Sequence, residues 1–185
     1  MTYPRMISGL LLIMLSTVLQ ATEPALPPGV MVMDGRPAPA LRLENIDGEA
    51  YELAAARGHW VFVHFWASWC GPCRREMPTI ARMMSTLGDG PLEVVMVNTA
   101  ETEDEVFTFL AVVAPDVVPL MDTDGLVTEH WQPRGLPATF LVDPAGTLRY
   151  LALGGRAWDT APYLALLSRL ASPEPEQNPV NGAPP

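Results

Sequence analysis

The sequence predicts an α/β domain in which a central mixed β-sheet is flanked by helices on both faces. Three observations carry that expectation. Apolar runs of strand length alternate with segments of helical periodicity from Trp60 onward, two later apolar runs are joined by turn residues, and proline-rich stretches bound the whole at both ends.

The first strand is the continuous apolar run Trp60 to Trp66. A helix follows from about Gly71 to Leu87, where Ile80, Met83, Met84 and Leu87 recur at helical spacing. Leu92 to Asn98 reads as a buried strand. Thr102 followed three places later by Glu105 is a capping-box pattern, which announces a helix carrying Val106, Phe109, Leu110 and Val113 until Pro115 ends it. Val117 to Met121 is a short apolar run before the turn-rich Asp122-Thr-Asp-Gly125. Beyond Pro137, Ala138 to Val142 and Thr147 to Leu153 form a hairpin around Asp143-Pro-Ala-Gly146, and a closing helix spans about Asp159 to Leu170. Strand, helix, strand, helix, then hairpin and helix is the order of a mixed sheet with helices on both sides.

A chain of 185 residues, 49% hydrophobic and 17% charged, can bury one sizeable core. Its formal charge is -10 and all eleven cationic residues are arginine, which argues against nucleic acid or anionic lipid as a partner. The first 21 residues read as an export signal. Arg5 supplies a positive start, Met6 to Leu19 is apolar, and Gln20-Ala21 leads into polar, proline-rich sequence. Leu19 suits a cut after Ala21 poorly, so an uncleaved anchor formed by residues 6–19 stays open beside a cleaved signal. No cysteine lies there to take a lipid. The expected destination is the bacterial periplasm. Residues 22–34 are expected to be a linker, 35–171 the domain, and 172–185 a proline-rich tail.

Two cysteines, Cys70 and Cys73, are the whole complement, and they sit at a strand-to-helix junction. A structural zinc site needs four ligands, and the remaining candidates His59, His64 and His130 follow no ligand spacing. A purely structural bridge closing so small a loop would constrain the unfolded chain little. A redox pair has a mechanism instead. Backbone N–H groups and the dipole at a helix N-terminus stabilise a thiolate on Cys70, the expected nucleophile. Cys73, one turn into the helix, is placed to attack a mixed disulfide on Cys70 and release the product. Between them Gly71 permits a tight turn and Pro72 fixes one dihedral, and both face the incoming substrate. The disulfide itself is the redox centre, so no separate cofactor or metal is expected.

The segment Phe65-Trp-Ala-Ser-Trp-Cys-Gly-Pro-Cys-Arg-Arg-Glu-Met-Pro78 resembles the active-site signature of thioredoxin-like proteins of the TlpA/ResA type, and the similarity runs from about Gly35 to Leu170. The resemblance implies a thioredoxin-like fold and thiol:disulfide oxidoreductase activity. Gly135-Leu-Pro-Ala-Thr-Phe-Leu-Val-Asp143 resembles the family segment with a cis-proline, which here is Pro137, presenting the backbone of Leu136 to a substrate strand. Pro78 corresponds to the proline that bends the active-site helix. Asn98-Thr-Ala-Glu101 falls where ResA-like proteins carry an acidic residue, which implies that Glu101 handles protons for Cys73. Read on its own, Glu101 is equally a solvated residue at a helix start. Trp69 is expected to shield the disulfide and offer an aromatic surface, with Trp66 in the core. His64 departs from the family, whose members carry aspartate or asparagine there. A buried imidazole could accept the Cys73 proton, or could be a hydrogen-bonded core residue with no catalytic part.

Cys-Gly-Pro-Cys resembles the reducing thioredoxins, near about -270 mV, more than oxidising relatives near about -120 mV. The expected protein is a monomeric reductase of protein disulfides, recharged by a membrane electron donor. The family implies apocytochrome c cysteines or copper-site assembly proteins as targets. Two other classes stay open. A copper metallochaperone would use Cys70 and Cys73 as soft ligands, with Met31 and Met33 nearby but without a methionine- or histidine-rich tract. A thiol peroxidase would share the fold, but the vicinal pair and the lack of a Thr-x-x-Cys pocket disfavour it.

Overall fold

The computed structural model describes residues 25–88 and 90–172. The expected export signal and most of the expected C-terminal tail lie outside these residues. Strand β1 (Val30–Val32) comes first, followed by β2 (Arg42–Glu44), β3 (Ala50–Glu52) and a 3-10 turn, Leu53–Ala56. Then come β4 (Trp60–Trp66), α1 (Gly71–Leu87), β5 (Leu92–Thr99), α2 (Glu103–Val113), β6 (Leu120–Asp122) and α3 (Leu126–Trp131). The hairpin strands β7 (Ala138–Val142) and β8 (Leu148–Leu153) precede the closing helix α4 (Ala161–Ala171).

Six strands form one sheet in the order β1-β8-β7-β4-β5-β6, and β2 and β3 pair separately. The α1 and α2 crossovers make β4, β5 and β6 parallel, whereas β7, β8 and β1 run antiparallel to their neighbours. β4 is central because it is apolar on both faces. Val61, Val63 and Phe65 point into one core with Val95, Val97, Trp131 and Phe140. Phe62 and Trp66 point into the other, where α1 lays Met77, Ile80 and Met83, α2 lays Val106 and Phe109, and α4 lays Leu166 and Leu167. Each such side chain contributes about 1.5–3 kcal/mol on burial. α1, α2 and α4 thus cover one face, while α3, the 3-10 turn and the small hairpin cover the other, a thioredoxin-like mixed sheet with helices on both sides.

Helix α1 has the bounds that its periodicity predicts, with Pro78 inside it. α2 carries the expected capping box, in which Thr102 and Glu105 bond reciprocally. The N-terminal boundary differs from expectation. Val30–Val32, within the expected linker, pairs with Tyr150, Leu151 and Ala152 of β8 as a sheet edge. Four residues between Pro28-Gly29 and Asp34-Gly35 are too few to show a period, and the order of Val30–Val32 comes from backbone pairing that β8 supplies. Tyr163 secures the same segment by donating its hydroxyl proton to the Pro28 carbonyl at 2.7 Å. The β2–β3 hairpin and α3 are also absent from the sequence reading, and β6 begins at Leu120 rather than Val117. Pro119 lacks the N–H a ladder needs, so the strand starts after it.

Candidate active site

β4 ends at Trp66, and Ala67-Ser-Trp69 carries the chain to Cys70, which is the N-cap of α1. Cys70 and Cys73 are joined as a disulfide. Cys70 Sγ accepts from the Cys73 N–H at 3.3 Å, so a backbone donor of the first turn already faces the sulfur on which a thiolate would form. That turn carries no acidic residue to oppose the dipole. Cys70 is 5% exposed and Cys73 0%. Trp69 stands beside Cys70 and is 65% exposed, whereas Trp66 is fully buried. Gly71 and Pro72 are exposed in the first turn, where proline's missing N–H costs nothing. Arg74 donates to the Ser68 carbonyl at 3.1 Å and lays its guanidinium 4.8 Å from the centre of the Phe109 ring, tying the loop to α2.

Glu101 is buried rather than solvated, and it precedes α2 instead of sitting within it. Its Oε2 accepts from the Ser68 N–H at 2.6 Å and from Asn98 Nδ2 at 2.7 Å, and the Ser68 hydroxyl donates to Oε1. The preceding Ala100 adopts φ 55°, a left-handed conformation that costs a non-glycine residue about 1–2 kcal/mol. The three hydrogen bonds of Glu101 offset that strain. The observed work of Glu101 is to hold the loop two residues ahead of Cys70, and its oxygens are occupied.

His64 is fully buried on the α1 face of β4. Its Nδ1 meets the Thr139 hydroxyl of β7 at 2.8 Å, and its Nε2 lies 3.1 Å from Oε1 of Glu76. The second approach is close but not aligned as a hydrogen bond. Glu76, on α1 and 3% exposed, accepts the Arg156 N–H at 2.6 Å on its other oxygen. Sequence reading quoted Glu76 without giving it a part. Its signal was a charged residue on the buried stripe of α1, between Cys73 and Met77.

The Leu136-Pro137 bond is cis. Pro137 is buried, Leu136 is half-buried, and the Pro137 carbonyl accepts the Gly154 N–H at 2.8 Å. The next residue, Gly155, meets Pro72, because a Cβ there would lie 3.3 Å from the Pro72 carbonyl oxygen. A single turn thus connects the Pro137 segment with the Cys70-Cys73 segment.

A Cys-x-x-Cys disulfide at a helix N-terminus, beside a cis-proline segment, defines a thiol:disulfide oxidoreductase of thioredoxin-like fold. The model of the AhpC/TSA family matches residues 35–151, and the chain belongs to that family, among its ResA-type thiol-disulfide oxidoreductases. It is 32% identical over 123 residues to the thiol-disulfide oxidoreductase ResA of Bacillus subtilis, covering 66% of this chain and 69% of that one. It is 38% identical over 117 residues to the thiol:disulfide interchange protein HelX of Rhodobacter capsulatus, covering 62% of this chain and 64% of the other. Among solved structures, a putative thiol:disulfide interchange protein DsbE from Chlorobium tepidum superposes with a TM-score of 0.64 at 28% identity, over 76% of this chain and 96% of that one. Protein thiols and disulfides are accordingly its substrates. Among the described residues no helix is long and apolar enough to cross a membrane.

Proposed function

We propose that the chain is an exported reductase of protein disulfides. The observation that carries this reading is the Cys70–Cys73 disulfide at the α1 N-terminus, where the Cys73 N–H faces Cys70 Sγ. The Cys70 thiolate attacks one sulfur of a substrate disulfide, that bond breaks, and the other substrate sulfur leaves as a thiolate. Cys73 then loses its proton and attacks Cys70 Sγ, the Cys70–Cys73 bond forms, and the second substrate sulfur departs. Two electrons pass to the substrate. A membrane electron donor restores the dithiol.

Leu136 and Pro137 offer backbone to a substrate strand, and Trp69, Gly71 and Pro72 form the rest of its contact surface. Glu101 anchors the loop that presents Cys70. Periplasmic placement follows from the character of residues 1–21, and the targets by family resemblance are apocytochrome c cysteines or thiols of copper-site assembly proteins.

The test is the reduction potential of the pair, by equilibration against glutathione and dithiothreitol mixtures. A value near or below about -270 mV establishes a reductant. A value above about -180 mV, in the range of isomerases and oxidants, overturns the direction.

A further inference from the structure

Glu76 is an ionisable group in the core, where a carboxylate needs compensation from the groups around it. Oε2 has the Arg156 N–H at 2.6 Å. Oε1 makes no hydrogen bond and lies 3.1 Å from Nε2 of His64. The imidazole presents a proton from Nε2 in its charged form and in the neutral tautomer whose Nδ1 accepts from the Thr139 hydroxyl, 2.8 Å away. The same carboxylate also borders a cleft of about 450 Å³, between Pro72 and Arg75 on one side and Gly154, Gly155 and Arg156 on the other. A route to water is therefore at hand, and the contact with His64 opposes it.

What Glu76 holds by staying inside is the turn after β8. Alongside the Arg156 N–H, Thr79 of α1 accepts the Trp158 N–H at 3.2 Å, and its hydroxyl, which donates to the Glu76 carbonyl at 2.7 Å, lies 3.2 Å from the Arg156 carbonyl. That turn bonds the Pro137 carbonyl through Gly154 and abuts the Pro72 carbonyl through Gly155.

We propose that His64 is a positioning residue for partner recognition: by keeping Glu76 inside, it seats the Gly154–Arg156 turn between Pro72 and Pro137 and so shapes the face on which a protein substrate docks. The inference rests on the disulfide-reductase reading and concerns the rim of that site, not the exchange of electrons. Of the charged groups packed around the ring, Glu76 comes from α1 and meets it directly. Cys73 lies one turn earlier on α1. The Arg156 guanidinium turns away to the carbonyls of Leu153, Gly155 and Gly29. β7 contributes the uncharged Thr139, and β5 contributes Met96 opposite His64.

The experiment compares the wild type with His64→Asn, and with His64→Asn combined with Glu76→Gln, which removes the buried charge yet keeps an acceptor for the Arg156 N–H. Insulin is the protein disulfide, 5,5′-dithiobis(2-nitrobenzoate) the small one, and hydrogen exchange of the Arg156 amide reports on the turn. Expected for His64→Asn are a several-fold rise in KM for insulin, kcat within twofold, a matching rate with the small disulfide, and faster Arg156 exchange. The double variant restores KM and exchange. An unchanged KM and exchange overturns the inference. So does an equal loss with both disulfides accompanied by a shifted pH profile of kcat, since that outcome makes His64 a proton carrier. If His64→Asn does not fold, Gly155→Ala perturbs the same turn by crowding the Pro72 carbonyl at 3.3 Å and Glu76 Oε2 at 3.6 Å, and an unchanged KM for insulin there overturns the inference equally. A wild type that reduces neither disulfide would instead defeat the reductase reading.

Discussion

Cys70 and Cys73 are chemically identical and differ only in what surrounds them. Cys70 caps the head of α1 at 5% exposure, with the Cys73 N–H directed at its sulfur, and Cys73 is fully buried one turn in. Single-thiol variants should therefore behave asymmetrically. Cys73→Ser should accumulate mixed disulfides with protein substrates, because the attack that releases them is gone, whereas Cys70→Ser should form none. Mass spectrometry after mixing with an oxidised substrate checks this, and equal trapping by both variants would contradict the assignment. Glu101 offers a second case. Glu101→Ala removes three hydrogen bonds and leaves the buried end of Asn98 and the Ser68 N–H to find other partners, so a loss of about 1–3 kcal/mol in urea unfolding is expected. The placement of the cysteine pair was readable from spacing alone, since a helix N-terminus and one turn of helix are local geometry. The placement of Glu101 was not, because its partners Asn98 and Ser68 come together only when β5 packs beside β4.

Elements divide in the same way. α1 and α2 were legible to within a residue or two because apolar periodicity, a capping box and a terminating turn are all written in consecutive residues. The β2–β3 hairpin was not, since strands of three residues carry no measurable period and gain their order from docking under the sheet. That docking has a titratable consequence. Burial pushes the Tyr51 hydroxyl of β3 well above its ordinary 10.0, and the neighbouring Glu93 carboxylate adds to the shift. The two groups are not aligned for a hydrogen bond, so Glu93 acts by charge. A tyrosine with a raised folded pKa favours the native state fully below pH 10.0 and progressively less as pH rises past that value, where the unfolded chain ionises first. Urea midpoints measured between about pH 8 and pH 11 should fall in the wild type and fall less in Tyr51→Phe. Parallel curves would place the alkaline sensitivity elsewhere.

At the scale of the whole molecule, the sheet begins earlier than either the proline pattern or the family match suggests. β1 occupies an edge, buries Val30, and is tied down by Tyr163 and by the Arg156 guanidinium near the Gly29 carbonyl. A chain beginning at Gly35 should consequently be less stable than one beginning at Ala25, by about 2 kcal/mol, the order expected for one buried valine. Comparison of urea midpoints at matched m-values checks it, and equal midpoints would show β1 to be incidental. Taken by itself, the sequence determined the class of sheet, the longer helices and the redox pair, because each depends on neighbours within a few positions. Tertiary structure alone decided that β1 belongs to the domain, that Glu101 serves Ser68, and that His64 faces Glu76. Those pairings join residues from 12 to more than 100 positions apart, and a contact of that span leaves no period or motif in the chain, only the geometry of the folded sheet.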